Sequence, residues 1–499
     1  MLHQFNFCIK ILKGCLTPLF FIILPLSLSA QQEYSSVLAS GSGLTSTILS
    51  DYQCIGINPA NLGINPKGRK VYFGLADISA GLYSEPLRKS DISNLFKDNE
   101  LNDNERLNTI QRFTEGNLNG QVNVGLLGIS YHDDRIGGFG MAIRERGFFN
   151  INLNGMAAEL LWLGFNSDYF DQKVLDEING QIIAGVSSQP KPAAELFKGT
   201  SYGMFWAREY NLSYGTMVFQ TPALKIYAGA GVKYFMGYAM AEIRVDGERF
   251  YGYSSMSDVF GIEYAFGNAS LAGQLNTSPF KASNAGNNAF TPCGNGIGAD
   301  LGFSMLIDNQ LMVSCAINDI GSISWTKNVY EASFSANISR IEMAGIPNES
   351  FHDIINAFIV EDDLFEWKEL SSIPIRLPTT MRMGGLYQVS ETLDAGLDFV
   401  LPLNNAPGSK NQPLTSVGAR LKAGNWVSLT GGVSVGGGVG LNFPLGFTLS
   451  TGNAWEFGIA TRDLASLIKD NSPHLSVTMG FLRFSFGNTV RNSETQEVY

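Results

Sequence analysis

The chain has 499 residues, of which 55 are glycine and 11% are aromatic, and its mean hydropathy is only +0.03. Its 34 basic and 45 acidic residues give a formal net charge of −11, and no basic stretch is present to meet phosphates, which excludes a nucleic-acid partner. Three of the five cysteines, Cys54, Cys293 and Cys315, follow the leader described next. An odd number without a CxxC pair predicts neither a disulfide framework nor a metal site.

Residues 1–30 read as a signal peptide. Lys10 and Lys13 precede an apolar run over residues 16–28, and small residues up to Ala30 offer a cleavage site before Gln31. A lipoprotein site at Cys15 is the alternative, but the apolar run follows that cysteine instead of preceding it. No other stretch reaches the roughly 20 consecutive apolar residues that a transmembrane helix needs. The leader therefore predicts export.

The clearest strand signal lies in residues 224–240. Its even positions are almost all apolar, including Val232 and ending at Met240, while small or charged residues such as Gly231 and Lys233 occupy the odd positions. A period of two over this length indicates a β-strand with one apolar face and one small or polar face. Strands that cross a membrane within a barrel have this pattern.

Segments with a similar period of two, called ladders here, recur along the chain and predict an all-β fold, a transmembrane antiparallel barrel. They cover residues 69–83, 121–131, 137–146, 201–219, 224–240, 298–307, 311–317, 325–341, 381–389, 393–401, 414–423, 426–435, 439–449, 454–461 and 475–486. Because single-chain bacterial barrels use even numbers, we expect about 14 strands. The predicted barrel domain spans residues 69–487 and is followed by a tail over residues 488–499. Helical insertions are expected at residues 106–113, 155–164 and 351–370, either over the lumen or as solvated loops.

Charged residues on the small faces of these ladders are candidates for the lumen lining. In the hairpin of residues 381–401, a three-residue turn pairs Gly384 with Asp398 and places Arg382 diagonally opposite Asp398. Such charges either brace the wall as an ion ladder or select an anionic substrate. The full candidate set is Arg144, Arg146, Lys225, Lys233, Arg382, Asp394, Asp398, Arg420 and Lys422.

Several short motifs carry a family resemblance. The sequence Asn-Pro-Ala-Asn-Leu-Gly at residues 58–63 resembles the signature near the mature N-terminus of FadL-like outer-membrane proteins. Residues 318–325 (NDIGSISW), 377–379 (LPT), 443–446 (FPLG) and 457–461 (FGIAT), in this order, resemble a family of bacterial outer-membrane barrels catalogued as a domain of unknown function. The resemblance implies 14 strands, an N-terminal plug and a role in the uptake of hydrophobic substrates.

The plug is expected in residues 31–68. Pro59 and Pro66 each lack a backbone donor, so this segment cannot pair as a central strand. By resemblance it folds back into the lumen, where Asn58 and Asn61 bond polar wall residues, and the plug candidates are Asn58, Pro59, Ala60 and Asn61. A disordered periplasmic tail is the alternative.

Catalysis is not expected. The histidines beyond the leader are His132, His352 and His474, and none lies within a strand beside an identifiable inward serine. The acidic residues from Asp98 to Asp103 lack the spacing of a calcium loop, so no metal or cofactor is expected.

Two function classes stay open for an outer-membrane barrel in contact with lipid. The first passes small hydrophobic or amphipathic molecules across the outer membrane. The second is a non-transporting scaffold or shuttle for secreted or surface proteins. An apolar pocket inside the barrel, opening to the wall or lumen, would favour the first class, and without it the second class is favoured.

Overall fold

The structure is a computed structural model of the chain. It describes residues 36–95, 103–114, 117–246, 249–257, 262–264, 280–282, 291–334, 337–342, 345, 365–409, 412–424, 426–451, 454–471 and 474–488. The predicted signal peptide and C-terminal tail lie outside the described residues, apart from Asn488.

Fourteen antiparallel strands form a closed barrel, because each strand pairs with the next and the last pairs with the first. The strands are β1 Arg69–Ser84, β2 Asn117–Asp133, β3 Gly137–Asn152, β4 Ser201–Gln220, β5 Leu224–Val245, β6 Gly294–Ile307, β7 Leu311–Trp325, β8 Thr380–Gln388, β9 Leu393–Pro402, β10 Leu414–Ala423, β11 Val427–Gly436, β12 Leu445–Thr451, β13 Trp455–Thr461 and β14 His474–Asn488. The expected transmembrane barrel of about 14 strands is confirmed. Closure pairs the backbone groups of both edges, as a membrane requires.

The two ends of the barrel differ in their connections. At one end, the short-turn end, strands are joined by residues 134–136, 221–223, 308–310 and 389–392. At the other, the long-loop end, connections are as long as residues 153–200 and 326–379. The pairing of Gly384 with Asp398 follows the register expected for the β8–β9 hairpin.

Apolar side chains cover the outer face of the wall. Val232 is 62% exposed, and Leu212 and Met141, which lie beside it on β4 and β3, also point outward. Behind Val232, Gly231 packs so closely that a Cβ there would lie 2.5 Å from the Ser213 hydroxyl oxygen. The expected alternation of an apolar outer face with a small or polar inner face holds along this part of β5.

One bulge changes the alternation of β5. Tyr238 is an extra residue between Gly237 and Ala239, where the pairing with β4 shifts by one. A one-residue shift turns every later side chain to the other face. Met240 is consequently buried inside, in one cluster with Phe205. The prediction that Met240 continues the lipid-facing row is wrong for this reason.

Three predicted segments differ from the structure. Residues 325–341 are not one strand, because the chain leaves the barrel after Trp325 and forms Val329–Phe334 and Asn337–Ile341 in other pairings. Residues 439–449 are interrupted at Pro444, which separates Leu441–Asn442 from β12. The end of the predicted helix 351–370 is the strand Phe365–Glu369. Residues 351–364 lie outside the described residues.

The long-loop end carries further elements. Helices are Lys89–Leu95, Asp103–Thr114, Gly155–Leu163, Ala193–Leu196 and Ala465–Ile468, with a 3-10 turn at Gly164–Asn166. The remaining strands are Gln172–Leu175, Ile182–Pro192, Phe250–Met256, Ile262–Tyr264, Phe280–Ala282 and Ile373–Arg376. Trp162 packs among Leu87, Ile92 and Phe113, so the helices share a buried core. No helix within the described residues is long and apolar enough to cross a membrane.

Val232→Arg tests the assignment of the outer face. A lipid-facing arginine near the bilayer midplane costs about 2 to 4 kcal/mol, so we expect a lower folded yield in liposomes. Val232→Leu is the matched control and should fold as the native chain does. Equal folded yields for the two variants, measured by the heat-dependent gel shift of folded barrels, would contradict the assignment. Gly231→Arg is not a mild control, since Ser213 leaves no room for it.

Candidate functional site: the plugged lumen

The N-terminal segment, residues 36–68, lies inside the barrel and is called the plug below. It contains the helix Val37–Ser42 and the 3-10 turns Asp51–Cys54 and Pro59–Gly63. Ser36 caps the helix, and Gly43 ends it with a φ of 77°. Together with Tyr72 of β1 and Ala142 of β3, the plug forms an apolar core from Ala39, Leu44, Ile48, Leu49, Tyr52, Cys54, Ile55, Ile57 and Leu62. It is therefore a folded element within the lumen.

Glycines of the wall let the plug approach the strand backbones. The ring of Tyr52 lies against Gly74 of β1 and Gly128 of β2, and a Cβ on either glycine would come within 2.1 Å of it. In the same way, a Cβ on Gly418 of β10 would lie 2.1 Å from the Ser42 carbonyl oxygen. These inward positions tolerate no side chain while the plug is in place.

Asp398 of β9 holds the middle of the plug. Its Oδ2 accepts hydrogen bonds from the Thr45 backbone N–H at 2.6 Å and the Thr45 hydroxyl at 2.7 Å. The Ser46 backbone N–H and hydroxyl donate to the same oxygen at 2.9 and 3.0 Å. Arg382 of β8 donates to Thr45 Oγ1 at 3.2 Å and to Asn318 Oδ1 at 2.9 Å. Both residues of the expected Arg382–Asp398 diagonal thus contact the plug.

The Asn-Pro-Ala-Asn motif lies against β6. Asn58 donates to the Ser304 hydroxyl at 3.0 Å, and that hydroxyl donates to Asn61 Oδ1 at 2.7 Å. Asn58 also caps the following turn by accepting from the Ala60 N–H at 3.2 Å. Pro59 lies over Gly229 and Gly302, where a Cβ would clash. The motif therefore shapes the turn and joins it to the wall.

A second polar contact joins the plug to the seam between β1 and β14. The Tyr52 hydroxyl donates to Asp77 Oδ2 at 3.1 Å and accepts from Arg483 Nε at 3.1 Å. Burial raises the pKa of neighbouring Asp51 in the plug to about 6, while the nearby cations Arg483 and Lys67 act in the opposite direction. The plug thus meets charged groups on both sides of the barrel.

Between the plug and the long-loop end lies a layer of ionisable side chains, called the charge belt below. Its members come from five successive strands and are buried or nearly so: Arg144 and Arg146 of β3, Glu209 of β4, Lys233 of β5, Asp300 of β6 and Asp319 of β7. Three cations thus face three anions. Such a balance offsets the cost of removing these charges from water.

The belt pairs across neighbouring strands. Arg146 bridges Glu209 at 2.9 Å and Asp319 at 3.0 Å, while Lys233 bridges Asp300 at 2.8 Å and Asp319 at 2.5 Å. The Arg144 guanidinium lies 3.5 Å from Glu209 and also donates to the Ile55 carbonyl of the plug. The belt is therefore one connected network that reaches the plug.

The NDIG motif builds part of this network. Asp319 has a φ of 58° at a bulge in β7, and its N–H donates to Asp300 Oδ1 at 3.0 Å. The LPT motif supports it, because the Thr379 hydroxyl donates to the Asp319 carbonyl at 2.9 Å and the Leu377 N–H donates to Gly321. The FPLG and FGIAT motifs lie at the plug helix, where Gly446 meets Gly41 and Gly458 meets Val37.

Beyond the belt, toward the long-loop end, buried apolar side chains form what we call the aromatic layer: Phe148, Phe205, Phe235, Met240, Ile323 and Trp325. Phe148 stacks on Phe205 with ring centroids 5.3 Å apart, and Phe205 meets Trp325 edge-on at 6.2 Å. The inner wall is consequently apolar at this level.

The other lumen candidates lie near the short-turn end. Asp394 bridges Arg420 at 2.6 Å and Lys422 at 2.9 Å, as a separate cluster. Lys225 donates to Asn309 at 3.0 Å at the β6–β7 turn. Neither group belongs to the charge belt.

Sequence reasoning missed the three anions of the belt. Glu209 and Asp300 stand at inward positions of β4 and β6 and pair with cations that were candidates. An acidic residue at the inward position of successive ladders was the available signal. Alternation could not place Asp319 at an inward position, because the bulge in β7 determines which way its side chain points.

Two of the three histidines that were considered for catalysis make structural contacts. His132 Nδ1 lies 3.1 Å from the Leu62 carbonyl of the plug, and His474 Nδ1 lies 2.6 Å from Asn442 Oδ1. His352, Asp98 and Glu100 lie outside the described residues. Among the residues that the structure describes, no cluster of His, Cys, Asp and Glu is arranged to hold a metal ion.

Lys233→Met tests whether the belt stabilises the wall. Removing the ammonium leaves Asp300 and Asp319 without their shared partner, and breaking a buried pair in this way costs about 3 to 5 kcal/mol. Lys225→Met, on the same strand, loses one contact at the short-turn end and should change stability little. Urea unfolding of both variants in detergent measures the difference. Equal stability would show that the belt does not brace the barrel.

Comparison with known proteins identifies the family. A family model described as a family of unknown function (DUF5723) matches residues 63–461. No curated protein matches the sequence. Similar solved structures include the Pseudomonas putida toluene transporter TodX (9% identity, 91% of this chain and 97% of that chain covered, TM-score 0.41). The Ralstonia pickettii toluene transporter TbuX is 10% identical, with 91% of this chain and 98% of that chain covered and a TM-score of 0.42. A Pseudomonas aeruginosa FadL homologue is 10% identical, with 92% of this chain and 97% of that chain covered and a TM-score of 0.39. These scores are low, so the architecture rests on the strand order of the barrel itself. The chain belongs to the DUF5723 family of unknown function.

Proposed function

We propose that this chain is an outer-membrane barrel that passes small hydrophobic or amphipathic molecules, with the plug as its closed gate. The observation that carries the proposal is the aromatic layer. The inner wall of an open porin is polar and wetted, whereas here the stacked rings of Phe148 and Phe205 and the buried Trp325 face inward. The apolar side chains at this level suit an apolar cargo.

The connections support an outer-membrane location. Barrels of this kind have short turns on the periplasmic side and longer loops outside, so the short-turn end is taken as periplasmic. The signal peptide predicted over residues 1–30 would provide for export. In this orientation a molecule from outside meets the aromatic layer first, then the charge belt, then the plug.

The contacts of the plug suit a movable gate. Hydrogen bonds from Thr45 and Ser46 to Asp398 and from Asn58 to Ser304 can be replaced by bonds to water when the plug shifts. Most of the apolar cluster around the plug consists of residues of the plug itself, with Tyr72 and Ala142 of the wall, so much of its packing can move with the segment.

A second candidate, the non-transporting scaffold or shuttle for secreted or surface proteins, is favoured by one observation. An apolar cavity of about 580 Å³ opens on the outer face of the wall, lined by residues such as Val232 and Phe139, and not into the lumen. The plug experiment below separates the two candidates.

The location is tested by fractionation. We expect the mature protein to sediment with outer membranes and to migrate on gels in a heat-dependent manner, because a closed hydrogen-bonded barrel resists detergent until heated. Recovery as a soluble periplasmic protein would contradict the proposal.

The gate is tested by deletion of residues 31–57, with the signal peptide retained. We expect higher single-channel conductance in planar bilayers and faster entry of a small apolar dye into proteoliposomes, because the lumen loses its filling. Val232→Leu, on the outer face of the wall, is the control and should leave both readings unchanged. A folded deletion variant with unchanged conductance and dye entry would favour the scaffold.

A further inference from the structure

The outer wall carries a groove that the proposed transport does not use. It has a volume of about 580 Å³, within the range of about 300 to 1,000 Å³ usual for ligand sites, and lies across β2 to β5 near their short-turn ends. We call it the lipid-side groove. Its lining is Ile129, Ser130, Tyr131, Phe139, Gly140, Met141, Leu212, Ser213, Tyr214, Ala230, Gly231 and Val232.

The groove exists because small and large outward residues stand side by side. Ala230 of β5 is exposed and leaves a hollow beside Tyr214, its neighbour on β4. Phe139 and Tyr214 form a raised rim with ring centroids 4.6 Å apart. A flat apolar wall would only touch lipid, whereas this relief can hold one chain along its length.

The floor of the groove is closed toward the lumen. A Cβ on Gly140 would lie 2.5 Å from Ile55 Cδ1 of the plug, and one on Gly231 would lie 2.5 Å from the Ser213 hydroxyl oxygen. The space behind the strands is therefore already filled. An occupant of the groove stays on the bilayer side of the wall.

Charged groups stand at the short-turn end of the groove. The β2–β3 turn lies at the rim, because the Tyr214 hydroxyl donates to the Ile136 carbonyl at 2.6 Å. Arg135 of this turn is exposed, and its backbone N–H donates to Asp133 Oδ1 at 2.9 Å. A guanidinium and a carboxylate thus stand two residues apart at the level where an apolar chain would end.

We propose that the lipid-side groove binds a zwitterionic phospholipid of the adjacent leaflet. One acyl chain lies along Ala230 and Val232, the phosphate faces Arg135, and the ammonium group faces Asp133. Asp134 of the same turn is also exposed. An apolar slot next to one guanidinium and two carboxylates disfavours a free fatty acid or an anionic lipid and matches a headgroup that carries both a phosphate and an ammonium group. The inference depends on the wall being embedded in a bilayer and not on transport.

The experiment uses the full mature chain folded in maltoside micelles and native mass spectrometry. The probes are dipalmitoyl phosphatidylethanolamine, dipalmitoyl phosphatidylglycerol and palmitic acid. We expect Ala230→Phe to weaken phosphatidylethanolamine binding by about tenfold or more, because its ring occupies the space of the chain. Ala228→Phe is the matched control, since Ala228 has the same strand and face but does not line the groove. Arg135→Gln, on an exposed turn, should weaken phosphatidylethanolamine binding, because it removes the cation that faces the phosphate.

Heat-dependent migration confirms that each variant is folded before its binding is compared. Equal phosphatidylethanolamine binding by folded Ala230→Phe and Ala228→Phe would overturn the site. Palmitic acid or phosphatidylglycerol binding as tightly as phosphatidylethanolamine would overturn the assignment of the headgroup. These readings are independent of conductance, so the transport proposal can fail while this one stands.

Discussion

The close approach of the plug to bare strand backbone is the constraint on which the rest of the lumen depends. Gly74 and Gly128 leave room for the Tyr52 ring, and Gly418 leaves room for the Ser42 carbonyl. Without the space that these glycines leave, the plug could not lie close enough to the wall for Thr45 and Ser46 to donate hydrogen bonds to Asp398. Part of the high glycine content of the chain is thus explained by the contacts of the plug with the wall.

The charge belt separates two apolar regions of one lumen. The plug core lies on its short-turn side and the aromatic layer on its long-loop side. Because every member of the belt pairs with a neighbour, the layer is electrostatically satisfied without a bound ion. Stabilisation of the wall by ion pairs, one of the two alternatives for the charged candidates, explains the contacts of Arg146 and Lys233. Arg144 and Arg382 also hold the plug.

The alternation of apolar with small or polar residues was sufficient to predict the barrel architecture, because the strands of a closed wall need a strict period of two wherever lipid faces one side. It predicted the pairing of Gly384 with Asp398 and the lumen-facing series of β5 up to Lys233. It failed at Tyr238, since an inserted residue leaves no mark in composition and yet reverses the faces beyond it. It also merged residues 325–341, where Val329–Phe334 and Asn337–Ile341 pair with strands of the long connections and not with the barrel wall. The contacts of the plug with Asp398 and Ser304 could not be predicted, because they join residues more than 200 positions apart.

The wall between the plug and the lipid-side groove is one backbone thick. At Gly140 the plug residue Ile55 lies on the inner side and the groove on the outer side, with no side chain of the strand between them. At Gly231 the charge belt takes the place of the plug, because Ser213, Asn211 and Asp300 stand behind the groove floor. Packed interiors transmit displacement because they contain few voids. A change in the position of Ile55 therefore bears directly on the strand that lipid touches, and this part of the wall couples the contents of the lumen to the surrounding bilayer.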